Sequence, residues 1–437
     1  MLPHPKRLTY DCFIVVGLII MLLIASWMPA YSQPSGKSVS ASLHFQQTLI
    51  MQANNNFPSP YAGKHSFLSR EKPALSYTST FYLSIFLPDQ FKIAINPLIS
   101  GGDALSGGYG LASFPNGDAF RVGNPTPQIS SATFYAEKTF NLAGNFAQPG
   151  AQQLKLILGK FSIAHYFDKN KYSDDARTQF MNWALMNDGA FDYSADTRGY
   201  IPGFIAELFD PAFRLRFAAT METNYVNGPN FDFNISKAHS FLLQGSHPFN
   251  IGGEPGKVRL LLFYNAGHFG NYKEATNNPI FDHNIILTQK YGRTKFGVDI
   301  NLQQQINKDA GVFMRVGWND GENEDWSYTD IDRTISAGIL TKPDLFGRKY
   351  DTFGVAAAVS GLSNDHRAYL ASGGYGFVIG DGKLSQYGLE SVLESFYSYR
   401  VNSTLALSAD YQFILNPGYN PQRGPVNIFG IRAHLSI

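Results

Sequence analysis

Arg214 and Arg216 stand two residues apart in a stretch whose alternate positions, Phe213, Leu215, Phe217, Ala219 and Met221, are apolar. Two guanidinium groups on one side of such a segment cannot both lie unpaired in a dry core. The arrangement recurs along the chain: Lys295, Asp299, Arg315, Glu390, Glu394, Arg400, Asp410 and Arg432 each interrupt an apolar alternation. This set, six basic and four acidic residues, suits weak orientation of a polar solute by charge and hydrogen bonds rather than bond making. An aromatic face such as Trp183 would add apolar contact for a ring-shaped hydroxylated solute. No His-Glu-x-x-His, Walker-type glycine loop or Gly-x-Ser-x-Gly elbow is present, so an enzyme is not expected and no catalytic residue is assigned. No metal site and no cofactor are expected either.

The elements that must position these side chains are strands. From Val426 to the end, Phe429, Ile431, Ala433, Leu435 and Ile437 alternate with Gly430, Arg432, His434 and Ser436, one apolar and one polar face. Thr404 to Leu415 repeats the device, and so do Thr294 to Ile306 and Ala310 to Asn319. Further strands are expected at Leu75 to Leu87, Phe91 to Asn96, Ile129 to Phe140 (phase ambiguous at Glu137-Lys138), Gln152 to Ser162, Arg198 to Phe209, Ala212 to Thr223, Phe231 to Ser246, Lys257 to Gly267, Asp330 to Lys342, Tyr350 to Ser360 and Leu389 to Arg400. Connections are alternately short and long. With roughly sixteen strands over 41–437, the fold class expected is all-β, a transmembrane up-and-down antiparallel barrel with its apolar row toward lipid and its charged row toward a wet lumen. Closure removes the edge strands that a sandwich of this size would expose. Two soluble β-domains are the competing arrangement, and no linker supports them.

Composition agrees. The 437-residue chain carries 35 Phe, 24 Tyr and 41 Gly at a formal net charge of +1, and near-neutrality argues against a nucleic-acid binder, which needs a basic surface. His4, Lys6 and Arg7 precede an apolar run from Phe13 to about Trp27 and then Ala30-Tyr31-Ser32, the layout of a secretory signal peptide over 1–32 with Gln33 first in the mature chain. An uncleaved anchor is the alternative reading of that run. A short segment, 33–40, leads into the barrel. The one cysteine, Cys12, lies in the leader, so the mature chain has no disulfide and no thiolate chemistry.

Several runs carry a more specific signal: Phe57-Pro58-Ser59-Pro60-Tyr61, Phe114-Pro115-Asn116-Gly117, Gly159-Lys160-Phe161-Ser162, Arg177 through Ala184, Gly317-Trp318-Asn319-Asp320-Gly321, Asp365 through Ala371, Asp410-Tyr411-Gln412-Phe413 with Asn416-Pro417, and Arg423-Gly424-Pro425-Val426. In this order the chain resembles the carbohydrate-selective porin family, the OprB-like outer-membrane proteins of Gram-negative bacteria. The resemblance implies a sixteen-stranded barrel passing sugars and similar small hydrophilic solutes by diffusion. The partners expected are those solutes, outer-membrane lipid, and the barrel-assembly machinery through the last strand. The chain departs from the pattern at its end: Ile437 replaces the usual terminal aromatic, which bears on assembly and not on the fold.

Two connections exceed what joining strands requires, about Ser100 to Gln128 and about Ile163 to Thr197. The second, with a short helix expected over Asp174 to Asn187, is expected to form the constriction, with Phe180, Trp183 and Ala184 against the wall. The substrate-binding candidates are thus Arg214, Arg216, Asp299, Arg315, Glu390, Glu394, Arg400, Asp410, Arg432 and Trp183. Asp320-Gly321-Glu322-Asn323-Glu324-Asp325 gathers acidic oxygens of the kind calcium prefers, but its spacing matches no calcium loop, and it reads as a solvated charged loop. An exporter of acidic polysaccharide is the second functional class and an outer-membrane hydrolase the third; the mixed charge of the inward set argues against the exporter.

Overall fold

The computed structural model describes residues 38–122, 124–142, 152–342 and 347–437. The expected leader, 1–32, lies outside them. Sixteen strands close into one barrel, each antiparallel to its neighbours in chain order: β1 (Ser40–Asn54), β2 (Ala74–Leu87), β3 (Phe91–Gly102), β4 (Gln128–Asn141), β5 (Gln153–Phe161), β6 (Ile201–Phe209), β7 (Arg214–Met221), β8 (His239–Ile251), β9 (Glu254–Gly267), β10 (Arg293–Asn307), β11 (Ala310–Asn319), β12 (Arg333–Thr341), β13 (Thr352–Gly361), β14 (Glu390–Arg400), β15 (Leu405–Leu415) and β16 (Val426–Ser436). The seam is β1 on β16, from Gln46 opposite Ser436 to Asn54 opposite Ile428. Ile437 extends it, exchanging backbone hydrogen bonds with Phe45 at 2.8 and 2.9 Å. Both ends of the barrel-forming chain lie on the short-turn side.

Alternation fixes which row faces where, because successive side chains of a strand point to opposite faces. The outer rows hold exposed apolar residues, among them Leu215, Phe217, Ile300, Met314, Val316, Leu393, Leu407, Phe429 and Ile431. Aromatic side chains mark both rims: Phe140, Phe213 and Tyr399 near the short turns, Tyr264, Phe296 and Trp318 near the long loops. An apolar band between aromatic girdles is what a bilayer selects.

Three expectations change in detail. β4 carries a bulge upstream of its ambiguous Glu137-Lys138 pair: Asn96 of β3 pairs with Thr133 while Pro97 pairs with Ser131, leaving Ala132 extra. The exposed row therefore switches from Ile129 to Phe134 and Phe140, and Pro97, with no N–H to give, sits where the ladder is interrupted. Residues 231–238 are loop, not strand. β8 instead runs on to Ile251 and turns into β9 through Gly252 and Gly253, both with positive φ, the tight hairpin whose twist matches the strands. Third, of the helix expected over Asp174 to Asn187 only Trp183–Met186 forms, capped by the Asn182 side chain accepting from the Ala184 N–H.

The barrel is not an empty tube. One apolar cluster joins Phe161, Phe167, Phe180, Leu185 and Phe191 of the β5–β6 region to inward Phe263, Phe313, Leu340 and Phe396 of the wall. The core is thus the connection after β5, residues 162–200, folded into the lumen.

Candidate functional site

The shortness of the Trp183–Met186 helix has a physical cause. An inserted backbone must satisfy its N–H and C=O groups, and here charged wall side chains do so. Glu394 on β14 accepts from the Met181 and Asn182 N–H groups at 2.6 and 2.9 Å. Arg432 on β16 donates to the Ala176 and Gln179 carbonyls at 2.6 and 2.7 Å. Arg315 on β11, fully buried, donates to the carbonyls of Leu185, Ser173 and Met186 and pairs with Asp168 at 2.9 Å. Those groups are unavailable for intrahelical bonds.

The connection 103–127 joins the same body. Arg177 pairs with Asp118 at 2.8 Å, the Trp183 N–H donates to the Phe114 carbonyl at 2.8 Å, and the Gly117 N–H to the Met181 carbonyl at 2.8 Å. Glu390 accepts from the N–H groups of Ala112 and Ser113 and, across the mouth, of Gly418. Two loops docked on each other therefore fill this part of the lumen.

The sequence candidates divide accordingly. Arg315, Glu390, Glu394 and Arg432 hold the inserted loops. Asp410 lies beside Glu394 and Arg432 and accepts from Gln412 at 3.2 Å. Asp299 faces Asp168 and Asp188 next to Arg315. Arg400 stands at the short-turn rim, donating to the carbonyls of Asn402 and Ser403. Trp183 packs not on the wall, as expected, but in an aromatic cluster, stacked on Tyr328 at 4.7 Å with Tyr193 and Phe120 beside it. Phe180 does meet the wall, 5.0 Å from Phe396 and 5.7 Å from Phe313. Arg214 and Arg216 face inward, and the carboxylate they meet is Glu207 on β6. Arg216 Nε is 2.7 Å from it and Arg214 Nε 3.7 Å.

The structure adds residues that the candidate set lacks. On the wall opposite the loop anchors, Lys92 of β3 and Lys155 of β5 flank Glu137 of β4 at 3.1 and 3.3 Å. Next come Glu207 with Arg214 and Arg216, and then inward Lys257 and Arg259 of β9. Six cations share two carboxylates on this strip, and Lys92, Lys155 and Arg214 keep 23%, 35% and 37% of their side chains exposed. The alternation in β3 and β9 was the signal that could have found them. The strip is met from the loop by Tyr166 and Asp174; burial lifts the Asp174 carboxyl above its ordinary range, against the pull of Lys169. Deeper in the loop, burial and then the charge of Asp168 push Asp188 up to about 7.

Cavities open on both sides of this body. One of roughly 360 Å³ on the long-loop side is lined by Tyr109, Phe120, Phe377, Asn124 and Asn227. One of roughly 450 Å³ lies toward the short turns against Lys169, Asp174, Arg259 and Gln303.

Residues 320–325, expected as a solvated charged loop, belong instead to a loop, 320–332, that is buried over most of its length, with Asp325 turned in to meet Lys295 and Asp192.

Known proteins show the same barrel. The structure of OprB from Pseudomonas putida superposes with a TM-score of 0.67 over 91% of this chain and 94% of that one, at 15% identity. The outer membrane channel DcaP of Acinetobacter baumannii gives 0.51 over 94% and 100% at 10% identity. These likenesses bear on the fold alone. Porin AaxA of Chlamydia pneumoniae is 23% identical over 315 residues, 70% of this chain but 61% of that protein's length, and Porin AaxA of Chlamydia caviae is 23% identical over 92% of this chain and 80% of that one. Residues 80–436 match the model of the carbohydrate-selective porin, OprB family, and with its closed sixteen-strand barrel the chain belongs to that family.

Proposed function

We propose that this protein is a passive channel in the outer membrane of a Gram-negative bacterium, admitting carbohydrates and similar small hydrophilic solutes through the gap between its inserted loops and the basic strip of β3 to β9. One observation carries the reading. The charges of β11, β14 and β16 are consumed in fixing the loops, whereas Lys92, Lys155 and Arg214 remain partly exposed with more cations than carboxylates around them. A water-filled gap so lined hydrogen-bonds hydroxyls and focuses a positive potential, favouring neutral polyols and anions over cations. Binding of this kind is weak and spread over several contacts, which lets solute leave as well as enter. The chemistry asked of the protein is positioning and solvation only, and no residue need act as acid, base or nucleophile.

Single-channel recording of the refolded protein in planar bilayers, with glucose and a series of oligosaccharides, tests the reading. Open-channel conductance with sugar-dependent blockage is expected. A protein that inserts yet shows neither conductance nor blockage by any sugar would overturn it.

A further inference from the structure

At the long-loop mouth, away from the basic strip, Asp325 and Asp332 of loop 320–332 meet His366 of the helix Asn364–Ala371. All three are buried, at 1%, 0% and 0% exposure. One ligand-type atom from each lies within 4.8 Å of the others. His366 Nδ1 is 3.0 Å from Asp332 Oδ2 and 3.9 Å from Asp325 Oδ2. Three atoms here have no hydrogen-bond partner among the described residues: Asp325 Oδ2, Asp332 Oδ1 and His366 Nε2.

The charge around them does not balance. Asp192, Asp325, Asp330 and Asp332 are all buried, and the neighbouring cationic side chains are Lys295 and, when protonated, His366. Asp192 accepts from the N–H groups of Trp326 and Ser327, and Asp330 from those of Val378 and Ile379. Lys295 takes Asp325 Oδ1, which leaves Oδ2 of the same carboxylate turned toward the imidazole. Buried carboxylates in excess of their cations are retained when they are hydrogen-bonded or hold a metal.

We propose that Asp325, Asp332 and His366 bind one divalent first-row transition ion, of the zinc or manganese class, which fastens loop 320–332 to the helix Asn364–Ala371. The separations of 3.0 and 3.9 Å from Nδ1, the shorter now a hydrogen bond, both fall within the roughly 4.2 Å that two ligands about 2.1 Å from one ion can span. One imidazole with two carboxylates suits these ions, whereas calcium asks for six to eight oxygens. The ligands are also held from behind, as metal ligands usually are. The Tyr272 ring stacks on His366 with centroids 4.0 Å apart and planes 11° from parallel. The Ser363 N–H donates to Asp332 Oδ2 at 2.7 Å, and the Asp325 N–H to the Tyr272 hydroxyl at 3.2 Å. Tyr272 belongs to the loop 268–292, so the ion would tie three loops at the mouth. Asp320 and Glu322, acidic neighbours in sequence, are not among the converging ligands.

The test uses the whole chain in detergent, stripped with chelator and then loaded separately with Zn²⁺, Mn²⁺ or Ca²⁺. Loading is done both on the folded barrel and during refolding, so that a closed site is not mistaken for an absent one. Desalted protein is assayed by elemental mass spectrometry, and the heat-modifiable band on gels confirms the fold. About one Zn²⁺ or Mn²⁺ per chain is expected, with no retained Ca²⁺, and a loss of affinity of at least tenfold in His366→Gln and Asp332→Asn. Wild-type protein that retains no ion under either regime would overturn the proposal. So would an ion retained equally by folded wild type and both variants.

Discussion

Replacing Arg315 with methionine keeps much of the side chain's length and removes its charge and all its donors. The guanidinium pairs with Asp168 at 2.9 Å and reaches the carbonyls of Leu185, Ser173, Asp168 and Met186 at 2.8, 2.6, 3.2 and 3.2 Å. Breaking a buried ion pair by removing one partner costs about 3–5 kcal/mol. Asp168 keeps the Asn301 amide and the Asp188 N–H, which puts the cost at the low end, about 3 kcal/mol. At about 1.4 kcal/mol per tenfold, the ratio of docked to undocked loop falls roughly a hundredfold. The barrel should survive, since β11 keeps both ladders. In bilayers the variant is expected to flicker to a higher conductance with weakened sugar blockage. Proteolysis within 163–200 should accelerate by up to the same factor when cleavage samples the open state. If folded Arg315→Met lost sugar blockage with no change in conductance, flicker or cleavage, Arg315 would be a solute contact and the anchoring argument would be wrong.

Five further outcomes are expected. Phe217→Arg puts charge on the outer row and should cost about 2–4 kcal/mol of barrel stability in denaturant titrations, whereas Arg214→Gln on the inner row of the same strand should cost far less; equal losses would reverse the facing. Arg214→Ala with Arg216→Ala leaves Glu207 uncompensated and should shift the reversal potential under a salt gradient toward cation preference; an unchanged potential would place the pair outside the narrow region. The Asp188 carboxyl, raised to about 7 by burial and by Asp168, favours the docked loop fully below its unfolded value near 4, and that contribution is lost as pH rises to about 7. Channel noise should therefore grow over that window and level off above it in wild type but not in Asp188→Asn, and identical profiles would refute the assignment. Ile437→Asp should lower outer-membrane levels because it puts a charge on the outer row of Phe429 and Ile431, and sequencing of the mature protein should begin near Gln33; normal levels, or a start at Met1, would count against these two readings.

The barrel was legible because its determinant is local. A strand with lipid on one side and water on the other needs a two-residue period, and Phe429 to Ile437 or Val312 to Trp318 display it without reference to any other part of the chain. From that period came the strand number, the facing of Arg214, Arg216, Arg315, Asp410 and Arg432, and the alternation of short turns with long loops. Where a bulge intervened, at Ala132, the period broke and so did the reading.

What tertiary structure alone decided is which charges are spent and which are free. Glu394 and the Met181 N–H are 213 residues apart, Arg315 and the Ser173 carbonyl 142. No local pattern reports such pairings, so Arg315, Glu390, Glu394 and Arg432 read as equivalent to Arg214. The same long-range capping suppressed a helix that the composition of Asp174 to Asn187 favoured, and buried an acidic loop that composition marked as solvated. An inserted loop must find partners for every backbone group it takes out of water, and those partners are set by where the wall stands, not by the residues next to it in sequence.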